Sequence, residues 1–212
     1  MTNPWPSPAG MEALAAITPC RRGEVVYARG DPVEHWYRIV SGLARKCSVT
    51  PDGRRQILDF LLPGDFFGFN GREKHPLTVE AAVEGTVVAR YPREQLERLA
   101  ETDPQVGRYL REMAFQALSR FQARMLILGR PTALDKVRSF LIELAERSSS
   151  GSPSSLVLPM SCQDIADYLE LPVGAVSRAL TDLRRSGVIT LAARNRVTMI
   201  ERTSGHGNGS EL

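Results

Sequence analysis

Short apolar runs separated by turn residues occupy the first part of the chain, up to about residue 91. Runs of this kind, interrupted about every 8–12 residues, are typical of a small β-barrel or sandwich. Pro51-Asp52-Gly53 is a strong turn signal and predicts the tip of a hairpin. The predicted strands cover residues 24–28, 36–40, 43–49, 56–61, 77–83 and 86–91.

A helical spacing of apolar residues replaces this pattern after residue 91. Residues 92–100 predict a short helix, and Asp103-Pro104 predicts the start of a long one, with an N-cap followed by proline. A helix of about 25 residues is about 37 Å long, which is more than one small barrel covers. The same helix of a second copy is the economical partner, in a parallel coiled coil; the alternative is that the apolar stripe packs only on its own barrel. The predicted dimer contacts on this stripe are Val106, Leu110, Met113, Ala117 and Phe121.

The last third of the chain is predicted to contain three helices and a hairpin. Residues 132–147 predict a helix, 148–155 a flexible loop and 156–159 a short strand. Two further strands are predicted at 187–191 and 196–200, with a turn between them.

Two short helices joined by a tight turn precede that hairpin. Ser161 and Asp164 form an S-x-x-D capping box at the start of the first helix. Pro172 ends it, because the residue before a proline disfavours helical geometry, and a second helix begins near Val173. This arrangement is a helix-turn-helix, and the hairpin after it makes a winged helix.

The second helix of such a motif lies in the major groove of DNA, and its early exposed residues meet the base edges. An arginine there can bond both O6 and N7 of guanine, the commonest specific base contact. Side chains at the start of the first helix and in the wing are expected to contact phosphates. The predicted base-reading residues are Val173, Gly174, Ser177 and Arg178, and the predicted phosphate contacts are Gln163 and Arg196.

The composition is globular, with 42% hydrophobic and 24% charged residues. The sequence has no apolar run long enough for a transmembrane helix and no signal-peptide pattern at its start, so we expect a cytoplasmic protein. A net charge of +3 is too small by itself to indicate a nucleic-acid partner. However, six arginines lie between residues 171 and 202 against only Asp182 and Glu201, which is typical of phosphate contact.

Four segments carry a resemblance to a known family, which extends over roughly residues 18–202. They are Leu62-Pro63-Gly64-Asp65-Phe66-Phe67-Gly68, Leu128-Gly129-Arg130, Asp164-Ile165-Ala166-Asp167-Tyr168-Leu169 and Val176-Ser177-Arg178-Ala179-Leu180. In these segments and in its order of elements, the chain resembles the CRP/FNR superfamily of bacterial transcription regulators. Its Val-Ser-Arg sequence is similar to the FNR and FixK branch rather than the CRP branch.

The resemblance implies an α+β fold with an N-terminal β-roll, which is a jelly roll of the cyclic-nucleotide-binding type (1–102). A dimerisation helix (103–130), a C-terminal winged helix-turn-helix (131–202) and a disordered tail (203–212) would follow. It also implies a homodimer that binds double-stranded palindromic DNA of the form TTG-N8-CAA, with Arg178 on the guanine, and that contacts RNA polymerase as an activator. The FixK-like branch implies a regulator without a cofactor, acting on genes of oxygen-limited or nitrogen-related metabolism.

One residue departs from the family pattern. The family usually has a glutamate four residues before the guanine-reading arginine, where it accepts from the amino group of a cytosine or adenine; this chain has Gly174. A missing base contact is typically worth about 1–3 kcal/mol. We therefore expect a half-site that is degenerate or different at that position.

The resemblance leaves several modes of sensing to weigh. The family's cyclic-nucleotide readers have an arginine that pairs with the cyclic phosphate, and this chain has Leu77 in its place, so cyclic-nucleotide control is not expected. Cys20 alone cannot supply the cysteine cluster of an oxygen-sensing iron–sulfur centre. His75 lies in the stretch where the carbon-monoxide-sensing branch places a haem ligand; the alternative is a surface-loop histidine.

Cys162 is a candidate redox switch. It is predicted to lie in the first turn of a helix that approaches DNA, where the helix dipole favours a thiolate. Oxidation there would add bulk or negative charge against phosphate and weaken binding. The alternative is a small residue with no special role.

Two other classes of function compete with a cofactor-free regulator. A cupin enzyme needs two histidines one residue apart, a third histidine and a carboxylate, and the three histidines of this chain are far apart, so neither an enzyme nor a metal site is expected. A sensor whose β-roll binds a small molecule or haem would bind DNA more tightly with its ligand, because the ligand must favour the competent state.

Overall fold

A computed structural model describes residues 7–70, 73–148, 156–158, 160–192 and 196–199. Its N-terminal part begins with a short helix, α1 (Ala9–Glu12), which is followed by strands. These strands are β1 (Ala16–Cys20), β2 (Val25–Tyr27), β3 (His35–Ser41), β4 (Ala44–Val49), β5 (Arg55–Leu61), β6 (Phe66–Phe67), β7 (Thr78–Ala81) and β8 (Thr86–Pro92).

The strands form two four-stranded antiparallel sheets that face each other as a β-roll. One sheet has the order β1-β8-β3-β6 and the other β2-β7-β4-β5. The predicted turn at Pro51-Asp52-Gly53 joins β4 to β5, and Gly53 has a φ of +80°, which glycine adopts without strain. Gly42 is also constrained, because a Cβ on it would lie 2.7 Å from the Cα of Thr86 in β8.

The space between the two sheets is filled largely by aromatic side chains. Tyr27, Tyr37 and Phe67 pack together, with ring centroids 5.3 to 6.2 Å apart. The ring of His75 stacks on Tyr27 at 3.7 Å and is buried. The interpretation of His75 as a surface-loop residue is therefore wrong, because the turn that carries it folds the imidazole inward onto Tyr27.

Two helices follow the β-roll at the predicted places. They are α2 (Arg93–Thr102) and α3 (Pro104–Leu128), and α3 has 25 residues. The Asp103 carboxylate caps α3 by accepting a hydrogen bond from the backbone N–H of Gln105 at 2.8 Å, and Pro104 occupies the first turn.

The predicted apolar stripe of α3 is divided between two faces of the helix. Val106 is 0% exposed and Met113 is 7% exposed, and both pack on Phe66, Tyr91 and Leu96 of their own chain. The assignment of Val106 and Met113 to a dimer interface is corrected for this reason, since their surface is already covered. The other predicted contacts keep free surface: Leu110 and Ala117 are half-buried and Phe121 is exposed.

The C-terminal part contains three helices and a small sheet. Its elements are α4 (Ala133–Ser148), β9 (Leu156–Val157), α5 (Cys162–Leu169), α6 (Val173–Arg185), β10 (Ile189–Ala192) and β11 (Arg196–Met199). The strands pair in the order β10-β11-β9, so β9 adds a third strand to the predicted wing hairpin. Most of the predicted loop at 148–155 and the whole predicted tail at 203–212 lie outside the described residues.

The β-roll packs directly on the C-terminal part through one continuous apolar core. Phe60 of β5 packs against both Phe140 of α4 and Tyr168 of α5, with ring centroids 6.0 and 5.2 Å away, and these two rings also contact each other at 5.3 Å. Arg124 of α3 is buried beside this core and donates to the carbonyls of Ile57 and Tyr168 at 3.3 and 3.2 Å.

None of the helices within the described ranges combines the length and the low polarity that a membrane span requires.

Candidate nucleic-acid interface

The capping box predicted for α5 is present. Ser161 Oγ accepts from the backbone N–H of Asp164 at 3.1 Å, and Asp164 Oδ2 accepts from the backbone N–H of Ser161 at 3.2 Å. Glu170 follows the helix as its C-cap residue and adopts the left-handed conformation at φ 56°, and Pro172 is the N-cap residue of α6. Glu170 is an uncommon residue for this conformation, and its side chain accepts a hydrogen bond from Gln56 Nε2 at 2.6 Å.

The second helix, α6, buries one side and exposes the other. Its apolar side, formed by Val176, Ala179 and Leu183, packs into the core shared with α4 and α5. All four predicted base-reading residues lie on its exposed side, in its first two turns. They are Val173, Gly174, Ser177 and Arg178.

Arg178 extends back along α6 toward the start of the helix. A Cβ on Gly174 would lie 3.7 Å from a terminal nitrogen of the Arg178 guanidinium. Within the part of the chain that the structure describes, no carboxylate forms an ion pair with Arg178. Its five N–H donors are thus available to a guanine edge or a phosphate.

The other predicted contact residues lie around this helix. Gln163 is exposed near the start of α5, and its side-chain amide donates to Asp167 Oδ1 at 2.7 Å. Cys162, the first residue of α5, is an exposed free thiol, whereas Cys20 and Cys47 are buried. Arg196 begins β11, and its side chain lies outside the described residues.

The structure brings a set of charged residues to α5 that the sequence did not single out. Arg45 NH1 lies 2.6 Å from Asp164 Oδ1, and Arg55 NH2 lies 2.7 Å from both Asp164 Oδ1 and Asp167 Oδ2. Arg45 also pairs with Glu80 at 2.6 Å. We call Arg45, Arg55, Glu80, Asp164 and Asp167 the interdomain ion-pair cluster, because the first three belong to the β-roll and the last two to the helix-turn-helix.

Asp164 is the centre of this cluster, and its side chain is only 4% exposed. Burial by itself would raise the pKa of Asp164, but the hydrogen bonds from Ser161 and the charges of Arg45 and Arg55 outweigh it and lower the pKa. The carboxylate is thus held in its charged form while it caps α5 and pairs with the β-roll. The sequence pointed to Asp164 through the capping box and a family segment, but not to its arginine partners, which lie more than 100 residues earlier in the chain.

Comparisons with known proteins agree with this geometry. The cyclic nucleotide-binding domain family matches residues 18–103, and the Crp-like helix-turn-helix domain family matches residues 135–204. The chain is 38% identical to the nitrogen fixation regulation protein FixK of Azorhizobium caulinodans, over 96% of this chain and 88% of that protein. The chain belongs to the CRP/FNR family of transcription regulators.

Further relatives show that, within the CRP/FNR family, the chain is similar to FixK and FNR members. It is 32% identical to the transcriptional activator protein FnrL of Cereibacter sphaeroides, over 91% of this chain and 80% of the relative. The solved structure of FixK2 from Bradyrhizobium japonicum superposes with a TM-score of 0.80 at 37% identity, over 89% of this chain and 93% of that one. The chain is therefore a FixK-like DNA-binding regulator and not an enzyme, and α5 and α6 lie within the matched helix-turn-helix domain.

Proposed function

We propose that this protein is a homodimeric transcription activator of the FixK/FNR type that reads a palindrome of the form TTG-N8-CAA. The observation that carries the proposal is the pair Ser177 and Arg178, exposed on the first two turns of α6 with no carboxylate of the described chain on the arginine. In this reading Arg178 binds the guanine, while Ser177, Val173 and Gly174 lie against the neighbouring bases. Gln163 and Arg196 contact phosphates on either side, which positions α6 in the groove.

The homodimer is supported by the free face of α3. Leu118 is 52% exposed, Phe121 56% and Met125 45%, which is unusual for large apolar side chains of a folded chain. Counting back from them in alternating steps of three and four gives the seam of a parallel coiled coil. The proposed seam is Gly107, Arg111, Ala114, Leu118, Phe121 and Met125. Of the predicted contacts, Phe121 lies in this seam, and Leu110 and Ala117 flank it, each one position before a seam residue.

The targets and the partner follow from the relatives. Relatives named as nitrogen fixation regulators support genes of nitrogen-related metabolism as targets, and one named as a transcriptional activator supports activation. Genes of oxygen-limited metabolism are the other target class that the FixK-like resemblance implies. Activation requires that a dimer on the promoter contacts RNA polymerase, which we assign to exposed loops of the β-roll and the DNA-binding domain. The protein would act in the cytoplasm and without a cofactor.

Fluorescence anisotropy of the purified protein on a labelled TTG-N8-CAA duplex tests the proposal. A duplex with both half-sites scrambled is the matched control, at the same stated salt concentration, because phosphate contacts alone give salt-dependent binding. We expect tight binding to the palindrome in reductant with nothing else added. Equal affinity for the palindrome and the scrambled duplex would overturn the assigned half-site.

A second candidate function is an effector-dependent regulator, and a cavity favours it. The cavity, about 590 Å³ in volume, lies between the 62–65 turn, α3 and α4. Asp65, Arg120 and Arg147 line it and connect the β-roll to both helices through ion pairs of 2.7 to 3.0 Å. A ligand there would tighten DNA binding only if it favoured the competent state.

DNA binding by the purified protein without any added ligand separates the two candidate functions. Weak DNA binding whose affinity increases when a small-molecule extract is added to the protein would favour the effector-dependent regulator. A Soret band in the purified protein would favour haem on His75, whose two ring nitrogens are buried and have no hydrogen-bond partner among the described residues. A colourless protein that binds tightly by itself favours the cofactor-free activator.

A further inference from the structure

The DNA-binding domain is held against the β-roll by contacts of two kinds. The apolar contacts around Phe60 and Tyr168 are extensive, and the hydrophobic effect that drives their burial is not directional. The interdomain ion-pair cluster is directional, because a guanidinium and a carboxylate bind best in one plane and at one distance. The apolar core therefore holds the two parts together, and directional polar contacts, which include this cluster and the ion pair of Arg147 with Asp65, restrict the angle between them.

The arginine contacts of the cluster converge on the first turns of α5. Arg55 Nε and NH2 lie 2.9 and 2.7 Å from the same oxygen of Asp167, and NH2 also reaches Asp164 at 2.7 Å. Arg45 reaches the same Asp164 oxygen from β4 at 2.6 Å. Because Asp164 also caps α5, the start of this helix cannot turn relative to the β-roll without leaving a buried carboxylate unpaired, which is costly.

The docked arrangement leaves the recognition surface free. Cys162, Gln163, Ser177 and Arg178 remain exposed while Asp164 is buried and Asp167 nearly so. The contacts of the β-roll with α5 therefore do not cover the exposed face of α6. An inhibitory contact would be expected to cover that face instead.

We propose that Arg45 and Arg55 are positioning residues for DNA recognition, which fix the orientation of the helix-turn-helix through Asp164 and Asp167. This inference rests on the proposed dimer and palindrome. In a two-fold dimer the orientation of each DNA-binding domain sets the separation and the relative rotation of the two recognition helices. The cluster thus selects the spacer length of the palindrome without touching DNA.

Spacer selectivity tests this role, because a merely structural role would not change it. Adding one base pair to the spacer rotates one half-site by about 35° around the DNA axis. The affinities of the unaltered protein, Arg55→Gln and Asp167→Asn are measured on TTG-N8-CAA, TTG-N9-CAA and scrambled duplexes. Arg54→Gln is the matched control, since Arg54 lies in the same hairpin, is 85% exposed and pairs only with Asp52 among the described residues.

We expect Arg55→Gln and Asp167→Asn to weaken binding to TTG-N8-CAA about tenfold, as the loss of a charged hydrogen bond does. Binding to TTG-N9-CAA should change much less, so the ratio of the affinity for TTG-N8-CAA to that for TTG-N9-CAA decreases. Arg54→Gln should behave as the unaltered protein. Arg55→Lys keeps the charge but cannot hold both carboxylates in one plane, and it should give an intermediate preference.

Three results would overturn the inference while leaving the proposed function intact. Equal losses on both spacers would indicate a structural role only, and a gain in affinity would indicate that the cluster inhibits binding. Unchanged affinities would indicate that the apolar core alone sets the orientation. If Arg55→Gln does not fold, as judged by circular dichroism, the affinities of Asp167→Asn and Arg55→Lys distinguish these outcomes. Failure of the unaltered protein to prefer either palindrome over the scrambled duplex would overturn the proposed function, and the inference with it.

Discussion

Gly174 and Arg178 lie one turn apart on the exposed side of α6, and a Cβ on Gly174 would be 3.7 Å from a guanidinium nitrogen of Arg178. Residues four apart on a helix face each other, so an acidic side chain at 174 would pair with this arginine. Glycine leaves the guanidinium without that restraint and removes one acceptor from the recognition surface. This one position therefore affects both the orientation of Arg178 and the base beside the guanine.

Gly174→Glu is expected to sharpen base selectivity. The new carboxylate would orient Arg178 and accept from the amino group of a neighbouring cytosine or adenine, a contact worth about 1–3 kcal/mol. Anisotropy on half-sites substituted one base at a time measures it. Gly174→Ala is the control, since it raises helix stability by about 0.5–1 kcal/mol without adding an acceptor. The prediction fails if both variants show the same base preferences.

Arg178→Ala is expected to abolish the preference for the palindrome while leaving the fold unchanged. The side chain is exposed, so its loss removes a base contact without opening a cavity. Arg185→Ala is the comparison, since Arg185 lies on the same helix and is 81% exposed. That variant should weaken binding to all duplexes about equally and lower the salt dependence. An unchanged palindrome preference in Arg178→Ala would contradict the assignment of α6.

The strands that the sequence missed differ physically from those that it predicted. β1 has four exposed residues out of five and contains Pro19, so it shows neither alternation nor a strand-like composition. It forms because it is an edge strand, where proline is tolerated. β6 consists of Phe66 and Phe67 only and is too short to show a period. Both strands depend on neighbours that are distant in the sequence.

The apolar stripe of α3 illustrates a different limit of prediction from sequence. Residues 106 to 121 of α3 carry apolar side chains on two faces, and spacings of three and four fit either face equally well. Only the position of the β-roll shows that Val106 and Met113 face inward and that Leu118 and Phe121 face outward.

Leu118→Glu is expected to shift the protein from dimer to monomer. A charge on the proposed seam would be buried without a partner in the dimer but solvated in the monomer, whose own fold leaves this residue exposed. Sedimentation velocity over a range of concentrations measures the shift. Met113→Ala is the control: it should lower the free energy of unfolding by about 2–5 kcal/mol, because Met113 is buried in its own chain, and leave the seam intact. A dimeric Leu118→Glu would contradict the seam.

The interdomain ion-pair cluster could not have been predicted from sequence patterns. Arg55 and Asp164 are separated by 109 positions, and each has an ordinary local explanation, as a strand residue and as a helix cap. Local patterns identify the helix-turn-helix well because its signals lie within one or two turns. They give no information on which side of α5 meets the β-roll, since that depends on packing between distant segments.

Treatment with hydrogen peroxide is expected to weaken DNA binding through Cys162. Among the cysteines it alone is exposed, and it lies beside Gln163 at the start of α5. Oxidation of its thiol by peroxide to sulfinic acid would place a negative charge near the phosphates. Anisotropy before and after peroxide, with mass spectrometry of the modified peptide, measures the effect. Cys162→Ser should bind in reductant as the unaltered protein does and should resist peroxide; equal sensitivity in Cys162→Ser would exclude this thiol as the switch.

His75 is expected to make the protein less stable in mild acid. Burial lowers the pKa of His75 in the folded chain below its ordinary value of about 6.5, an effect that Lys46 reinforces and Asp31 opposes. Above this value the imidazole is neutral in both states, so stability is unaffected. As the pH falls below it, the unfolded chain takes up a proton that the folded chain does not. The free energy of unfolding then decreases by up to about 1.4 kcal/mol per pH unit, until the folded pKa is reached.

Urea unfolding at a series of pH values between about 5 and 7.5 measures this dependence, in a window chosen to limit the titration of carboxyl groups. His75→Phe keeps an aromatic ring against Tyr27 but has no proton to bind, so its curve should be flatter than that of the unaltered protein. The two curves should diverge only below about pH 6.5, because that is where the unfolded histidine begins to titrate. Parallel curves through the whole range would show that His75 is protonated as readily in the folded chain as in the unfolded one, and its burial would then carry no energetic penalty.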